Sequence, residues 1–194
     1  MPRHKEFDPE TAVERAMQQF WSDGYAATSP QLLVDALGIG RGSLYNAFGS
    51  KHELYERALT RYRDRESQRV IDALDGPGPA IDRLREVMRV VAGSASAAGG
   101  RRGCLMTNAA TELGEDDEAV ADLVRSAFQR QRNAFRSTLR EGQSDGTVDP
   151  ARDADEMATY LLTLLNGVQV LARVLPSSGS VDAQIDIALR AIAA

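Results

Sequence analysis

Capping residues, prolines and glycines divide almost the whole sequence into runs whose apolar residues recur every three or four positions, the spacing of one face of an α-helix. Asp8 followed by Pro9 opens the first run, Val13, Ala16, Met17 and Phe20 carry it inward, and Gly24 closes it. Ser29-Pro30 repeats the signal for a short helix with Leu33, Ala36 and Leu37 inside, ended by Gly38. After Gly38-Ile39-Gly40 a third short helix turns Leu44, Ala47 and Phe48 inward. Ser50-Lys51-His52-Glu53 reads as a reciprocal capping box, with the serine serving the Glu53 amide and the glutamate returning to the Ser50 amide.

That fourth helix runs to about Leu74, where Asp75-Gly76-Pro77-Gly78-Pro79 stops it. Further helices are expected over 80–92, Cys104 to Leu113 and Asp116 to Glu141, with the small-residue segment Gly93–Gly100 between the first two. Acids at the start and arginines toward the end of the longest match its dipole. Asp149-Pro150 is read as the start of the next helix, which has Met157, Leu161, Leu164, Leu165, Val168, Leu171, Ala172 and Leu175 on a broad apolar face and stops at Pro176. Ser180 caps the last, with Val181, Ile185, Ala188, Leu189 and Ile192 inside. No strand-like alternation flanked by hairpin turns and no internal repeat interrupts this pattern, so the expected fold is all-α with about nine helices.

At 194 residues, 43% of them apolar, the chain suffices for one good-sized core or two small units. Its longest weakly polar stretch, Tyr160 to Ala172, is broken by Thr163, Asn166 and Gln169 and falls short of the roughly 20 apolar residues that span a bilayer, so no membrane segment is expected. The start, MPRHKEFDPE, has no apolar run after its basic residues, which speaks against a signal peptide and for a cytoplasmic protein. A single cysteine, Cys104, excludes an intrachain disulfide and a zinc site of several thiolates.

The formal charge of −5 argues against a protein that coats nucleic acid or anionic membrane. Its distribution is uneven. Through residue 65 nine Arg and Lys balance nine Asp and Glu, so the whole excess falls in 66–194. The neutral first third contains the most informative segment, TSPQLLVDALGIGRGSLYNAFGSK, from Thr28 to Lys51. Two short helices joined by a Gly-containing turn, with Leu33, Leu37, Ile39 and Leu44 to hold them across one another, meet the requirements of a helix-turn-helix. The second helix presents residues suited to a major groove: Arg41 for guanine or phosphate, Asn46 for a base edge, Ser43 and Tyr45 for phosphate oxygens. No acid occurs from Ala36 to His52, although acid-free stretches also occur at 87–111 and 157–181. Gly38-Ile39-Gly40-Arg41-Gly42 superficially suggests a dinucleotide loop, but no strand precedes it and its third glycine comes one position early.

Phe20, Gly24-Tyr25, Thr28-Ser29, Leu37-Gly38, Gly42-Ser43-Leu44-Tyr45, Phe48, Lys51, Leu54 and Leu59 resemble, in order and spacing, the N-terminal pattern of the TetR family of one-component bacterial transcription regulators. The resemblance covers roughly residues 7–60 and is looser beyond them. It implies DNA contacts by Ser29, by Arg41, Gly42, Ser43, Tyr45 and Asn46 of the recognition helix, and by Lys51. Pro30 departs from the aliphatic residue usual there. The implied organisation is a DNA-binding domain over residues 1–50, running into the fourth helix to about 60, and a ligand-binding and dimerisation domain over 51–194.

One small helix-turn-helix recognises few base pairs, so a homodimer on half-sites of double-stranded operator DNA about 34–36 Å apart is the economical solution. The resemblance implies pairing through the last two helices, at 155–193. It also implies a cavity for a small-molecule effector, with Met88, Val91, Met106, Asn108, Phe128, Phe135, Tyr160 and Leu164 as candidate lining residues. A ligand that fits only the conformer with misplaced recognition helices would release the operator.

Cys104 has two readings: a small buried apolar residue, or, following Arg101-Arg102-Gly103 at a helix start, a thiol that senses oxidants or electrophiles. Arg125, Arg132, Arg136 and Arg140 share one face of the long helix, which reads as a solvated face balanced by the acids at 115–122. A helical binding protein without DNA readout is the other alternative. Enzyme chemistry has no full cast: His4 and His52 are the sole histidines, His52-Glu53 is followed by Glu56 where a zinc-protease motif needs histidine, and no metal or other cofactor is implied.

Overall fold

The computed structural model describes residues 7–94, 102–171, 173–174 and 179–194. These form nine helices: α1 (Pro9–Asp23), α2 (Pro30–Leu37), α3 (Arg41–Phe48), α4 (Lys51–Leu74), α5 (Ala80–Ser94), α6 (Leu105–Leu113), α7 (Glu118–Asp145), α8 (Ala154–Leu171) and α9 (Gly179–Arg190). The starts follow the caps. Asp8 accepts from the Glu10 and Thr11 amides, Ser29 from Leu32, Ser50 from Glu53 and Asp117 from Val120, and each satisfies donors that have no partner within the helix.

Two local readings are corrected. The capping box at α4 is one-sided, because the Ser50 amide donates to the Phe48 carbonyl at 3.0 Å and not to Glu53. Asp149-Pro150 does not start α8: the Asp149 carboxylate takes the Ala151 amide in a turn, and Asp153 caps the helix by accepting from the Asp155 and Glu156 amides at 2.8 and 2.9 Å. The Asp149 amide instead reaches the Ile192 carbonyl at 3.0 Å, beside an isolated antiparallel bridge between Val148 and Ala193 that ties the end of α9 to the end of α7. Ala172, Leu175, Pro176 and the side chains of Ser180 and Val181 lie outside the described residues, as do Arg101 and most of Gly93–Gly100.

Apolar packing forms two clusters. One joins α1, α2, α3 and the first half of α4 to Cys104, Leu105, Met106 and Ala109 and to Val120, Val124 and Ala127 of α7. The other joins Val70 and Leu74 to Leu84, Val87 and Met88 of α5, Phe135 and Leu139 of α7, and the inner faces of α8 and α9. Packing therefore divides within α4, between Tyr62 and Val70, while α4 and α7 run through both clusters. The arginine face of α7 is taken up by ion pairs: Arg125 meets Glu118 and Asp122, whereas Arg132, Arg136 and Arg140 converge on Asp155 of α8. Among the described residues no helix is long and apolar enough to cross a membrane.

Candidate nucleic-acid interface and ligand cavity

The turn between α2 and α3 depends on Gly38, whose left-handed backbone (φ 69°) lets its amide donate to the Val34 carbonyl at 3.0 Å while the chain reverses. Arg15 of α1 donates to the Leu37 carbonyl at 3.2 Å and so fastens the end of α2 to the first helix. Leu33, Leu37, Leu44 and Phe48 are buried between the helices, in a cluster anchored by Phe20 and Leu54. This packing leaves the other face of α3 outside: Arg41, Gly42, Ser43, Tyr45 and Asn46 are all exposed. The Tyr45 ring stands 37% exposed, and nothing lies within 4 Å of where a Gly42 side chain would begin. Arg41 forms no ion pair among the described residues. Ser29 is exposed at the same end, and Pro30 occupies the first turn of α2 as a normal helix start.

Lys51 is placed differently. Its Nζ stands 4.2 Å from the centroid of the Tyr25 ring and is half-buried, so burial pulls the ammonium below its ordinary pKa while Glu112 opposes the shift.

The junction between the reading head and the rest holds residues that the sequence did not mark. Glu112 of α6 accepts the Tyr25 amide on Oε2 at 2.9 Å and the Ala26 amide on Oε1 at 2.6 Å. His52 bridges Glu56 and the Asp117 carboxylate. Trp21 Nε1 donates to the Gly103 carbonyl at 3.0 Å, and the Arg102 guanidinium covers the same indole at 4.8 Å while donating to Gln18. An acid on a short helix and a histidine beside a cap ordinarily read as surface, so composition carried no signal for these roles.

Between the two apolar clusters lies a cavity of about 150 Å³. Trp21, Tyr62 and Cys104 line it on the head side and Val70, Val87 and Val91 on the other, with Glu66, Arg69, Glu86, Gln131 and Gln169 as its polar and charged groups. At about 30 Å³ per water this is room for roughly five waters, or a ligand of about six heavy atoms, the size of benzene.

Of the lining residues expected from sequence, Val91 is in the wall. Met88 and Phe135 are fully buried in the second cluster with Leu164 against it, and Met106 is buried in the first with Phe128 against it. Asn108 is spent on hydrogen bonds to the Arg102 carbonyl and from Arg173, and Tyr160 is 41% exposed on α8. Helical spacing separates inside from outside but not a side chain facing a void from one facing a neighbour. Gln169 offered a usable signal, a polar residue on the apolar face of α8 that is 8% exposed.

Cys104 fits its first reading, a small buried residue, being 6% exposed, and it stands in the cavity wall with the Tyr62 hydroxyl donating to its Sγ at 3.7 Å. Burial pushes the Tyr62 phenol well above its ordinary pKa, so this group remains a donor.

Comparison with known proteins agrees with this architecture. The model of bacterial regulatory proteins of the tetR family matches residues 12–58, and that of the Tetracyclin repressor-like C-terminal domain matches 80–188. The HTH-type transcriptional repressor ComR of Escherichia coli is 30% identical over 172 residues, which cover 88% of this chain and 82% of ComR. YezE of Bacillus subtilis, an HTH-type transcriptional regulator, is 26% identical over 97% of this chain and 98% of its own. Among solved structures, a cysteine variant of the TetR family regulator CifR, complexed with 26-base-pair double-strand operator DNA, is 34% identical and covers 99% of both chains with a TM-score of 0.85. With both parts matched and a helix-turn-helix whose outer face is free, the chain belongs to the TetR family of DNA-binding bacterial transcription regulators.

Proposed function

We propose that this chain is a homodimeric repressor that binds double-stranded operator DNA through α3 and leaves it when a small molecule occupies the cavity between the two apolar clusters. The carrying observation is the outer face of α3, exposed and acid-free, with Arg41 unpaired among the described residues. Arg41 and Asn46 reach base edges, Ser29, Ser43, Tyr45 and Lys51 reach phosphates, and Gly42 admits the DNA backbone. CifR bound to its operator supports this reading. The reading head comprises residues 1–50 with the start of α4, the remainder senses and dimerises, and the site of action is the cytoplasm.

Dimerisation through 155–193 is supported by apolar side chains that the single chain leaves in water: Val170, Leu171, Val174 and Ile187 are about half exposed or more, with Tyr160 close behind. Their location on and just after the last two helices suits a bundle with a second copy. The test is an electrophoretic mobility shift with DNA from upstream of the chain's own gene, with Arg41→Ala and Tyr45→Ala as controls. A sequence-specific, salt-sensitive shift weakened by both variants is expected, and its absence overturns the reading.

A thiol-based version has one observation in its favour, the position of Cys104 in the cavity wall. It fails if Cys104→Ser leaves operator release by oxidants and electrophiles unchanged.

A further inference from the structure

We propose that Glu112 is a positioning residue for operator binding: it touches neither DNA nor cavity, and it fixes the pose of the reading head through two backbone amides. Both oxygens of its carboxylate are used, one on Tyr25 and one on Ala26. Those amides belong to the turn between α1 and α2, which ends at Ser29, the cap of α2.

The turn is shaped around the carboxylate. Gly24 has φ +84°, and a side chain there would begin 3.3 Å from Glu112 Oε2, so the glycine supplies both the backbone angle and the clearance. Thr28, fully buried, closes the turn by donating its hydroxyl to the Gly24 carbonyl at 2.6 Å. Successive amides aimed at one anion form a nest, and bonds from amides to a carboxylate are the stronger, charge-assisted kind.

A second contact from the same corner, Asp117 to His52, holds the start of α4. Two points, one at the α1–α2 turn and one at α4, fix an angle where one would leave a pivot. Any rotation of the head against α6 must break the Glu112 pair.

Electrostatics makes the proposal separable from a charge effect. Glu112 acts on the nearby Lys51 ammonium, and a carboxylate beside a DNA-binding surface weakens every DNA complex alike. Removing the charge alone therefore raises affinity for any sequence, whereas losing the pose lowers affinity for the operator in particular.

The experiment uses the full chain with Glu112→Gln and Glu112→Ala. Fluorescence anisotropy measures affinity for a duplex selected by the unaltered protein from a random library, and for a scrambled duplex of equal length. Thermal unfolding and amide exchange at Tyr25 and Ala26 are read on the same variants. Glutamine keeps one acceptor oxygen for one of the two amides, so the series is graded. Glu112→Ala lowers operator affinity about tenfold and Glu112→Gln less, the scrambled duplex binds as before or more tightly, and exchange at both amides accelerates without loss of the folded state. Operator affinity within about twofold of the unaltered protein, or operator and scrambled duplex changing together in either direction, overturns the proposal.

Discussion

Arg41→Ala is the substitution from which the DNA-reading assignment has most to lose. The side chain sits in the first turn of α3, exposed and free of ion pairs among the described residues, so its removal takes nothing from the fold. A cation at a helix N-terminus is mildly unfavourable, and the net change in stability is expected within about 0.5 kcal/mol. On DNA the balance is different. A bidentate arginine–guanine contact is worth about 1–3 kcal/mol, and the proposed dimer would make it twice, so operator affinity should fall by about 2–6 kcal/mol, roughly 30-fold to 10⁴-fold. Anisotropy titrations at several salt concentrations distinguish base from phosphate contact. A base contact leaves affinity for scrambled DNA and the salt slope nearly unchanged, whereas a lost phosphate contact flattens the slope by about 0.9 per protomer and weakens both duplexes. A loss under about threefold on the operator with an unchanged slope would refute the placement of this α3 face in the groove.

Three further outcomes are expected. Leu171→Glu combined with Val174→Glu sets charge on a surface that is 52% and 70% exposed in the single chain, so the fold persists while light scattering shows monomers and operator binding is lost. Phe20→Ala removes a ring that is 1% exposed and packed edge-on against Tyr55 at 4.9 Å; it should cost about 3–5 kcal/mol in urea unfolding, and less than 1 kcal/mol would contradict the assigned core. The Thr11 hydroxyl and amide hold the Asp8 carboxyl below its ordinary pKa, and the Thr147 hydroxyl with the Ala80 amide does the same for Asp145. Folded values below unfolded ones give stability that is full above about pH 4 and lost as pH falls further, so melting temperature should be level from pH 6 to 5 and drop below 4.

The starts of α1, α2 and α4 were legible because a cap's own side chain closes the first turn. Asp8, Ser29 and Ser50 each bond an amide two or three residues on, a purely local event. Asp149 failed as a start because it faces the same local choice and takes the alternative, a turn, while its amide is claimed by Ile192 across the molecule. The outer face of α3 was legible because it is what remains when Leu44 and Phe48 turn inward. The cavity was not: whether Met88 or Val87 meets open space depends on the angle between α4 and α5, which no spacing within one helix encodes. Glu112 was hidden for the same reason, since its partners are backbone amides more than eighty residues away that carry no side-chain signature.

On the proposed reading, the location of the cavity constrains how an effector would act on operator binding. The first cluster takes in α6 through Leu105, Met106 and Ala109 together with Val120, Val124 and Ala127 of α7, and Glu112 adds a latch from α6 to the head. On that reading, with α4 running through both clusters, the head would move by a tilt of α4 about the seam that the cavity occupies. At about 1.5 Å per residue, Tyr62 in the seam lies roughly 16 Å along α4 from Lys51, so a tilt of about 5° moves the start of that helix by roughly 1.4 Å. Recognition helices required to fit grooves one turn apart lose hydrogen-bond geometry at that displacement. Shifting such an equilibrium from 99:1 to 1:99 takes about 5.5 kcal/mol of differential binding, and a ligand of about six heavy atoms has at best about 9 kcal/mol in all. More than half of its interaction would then have to come from contacts present in only one setting of the seam. Trp21, Tyr62 and Cys104 on one side and Val70, Val87 and Val91 on the other are placed for this, because their separation across the cavity is what the proposed tilt would change.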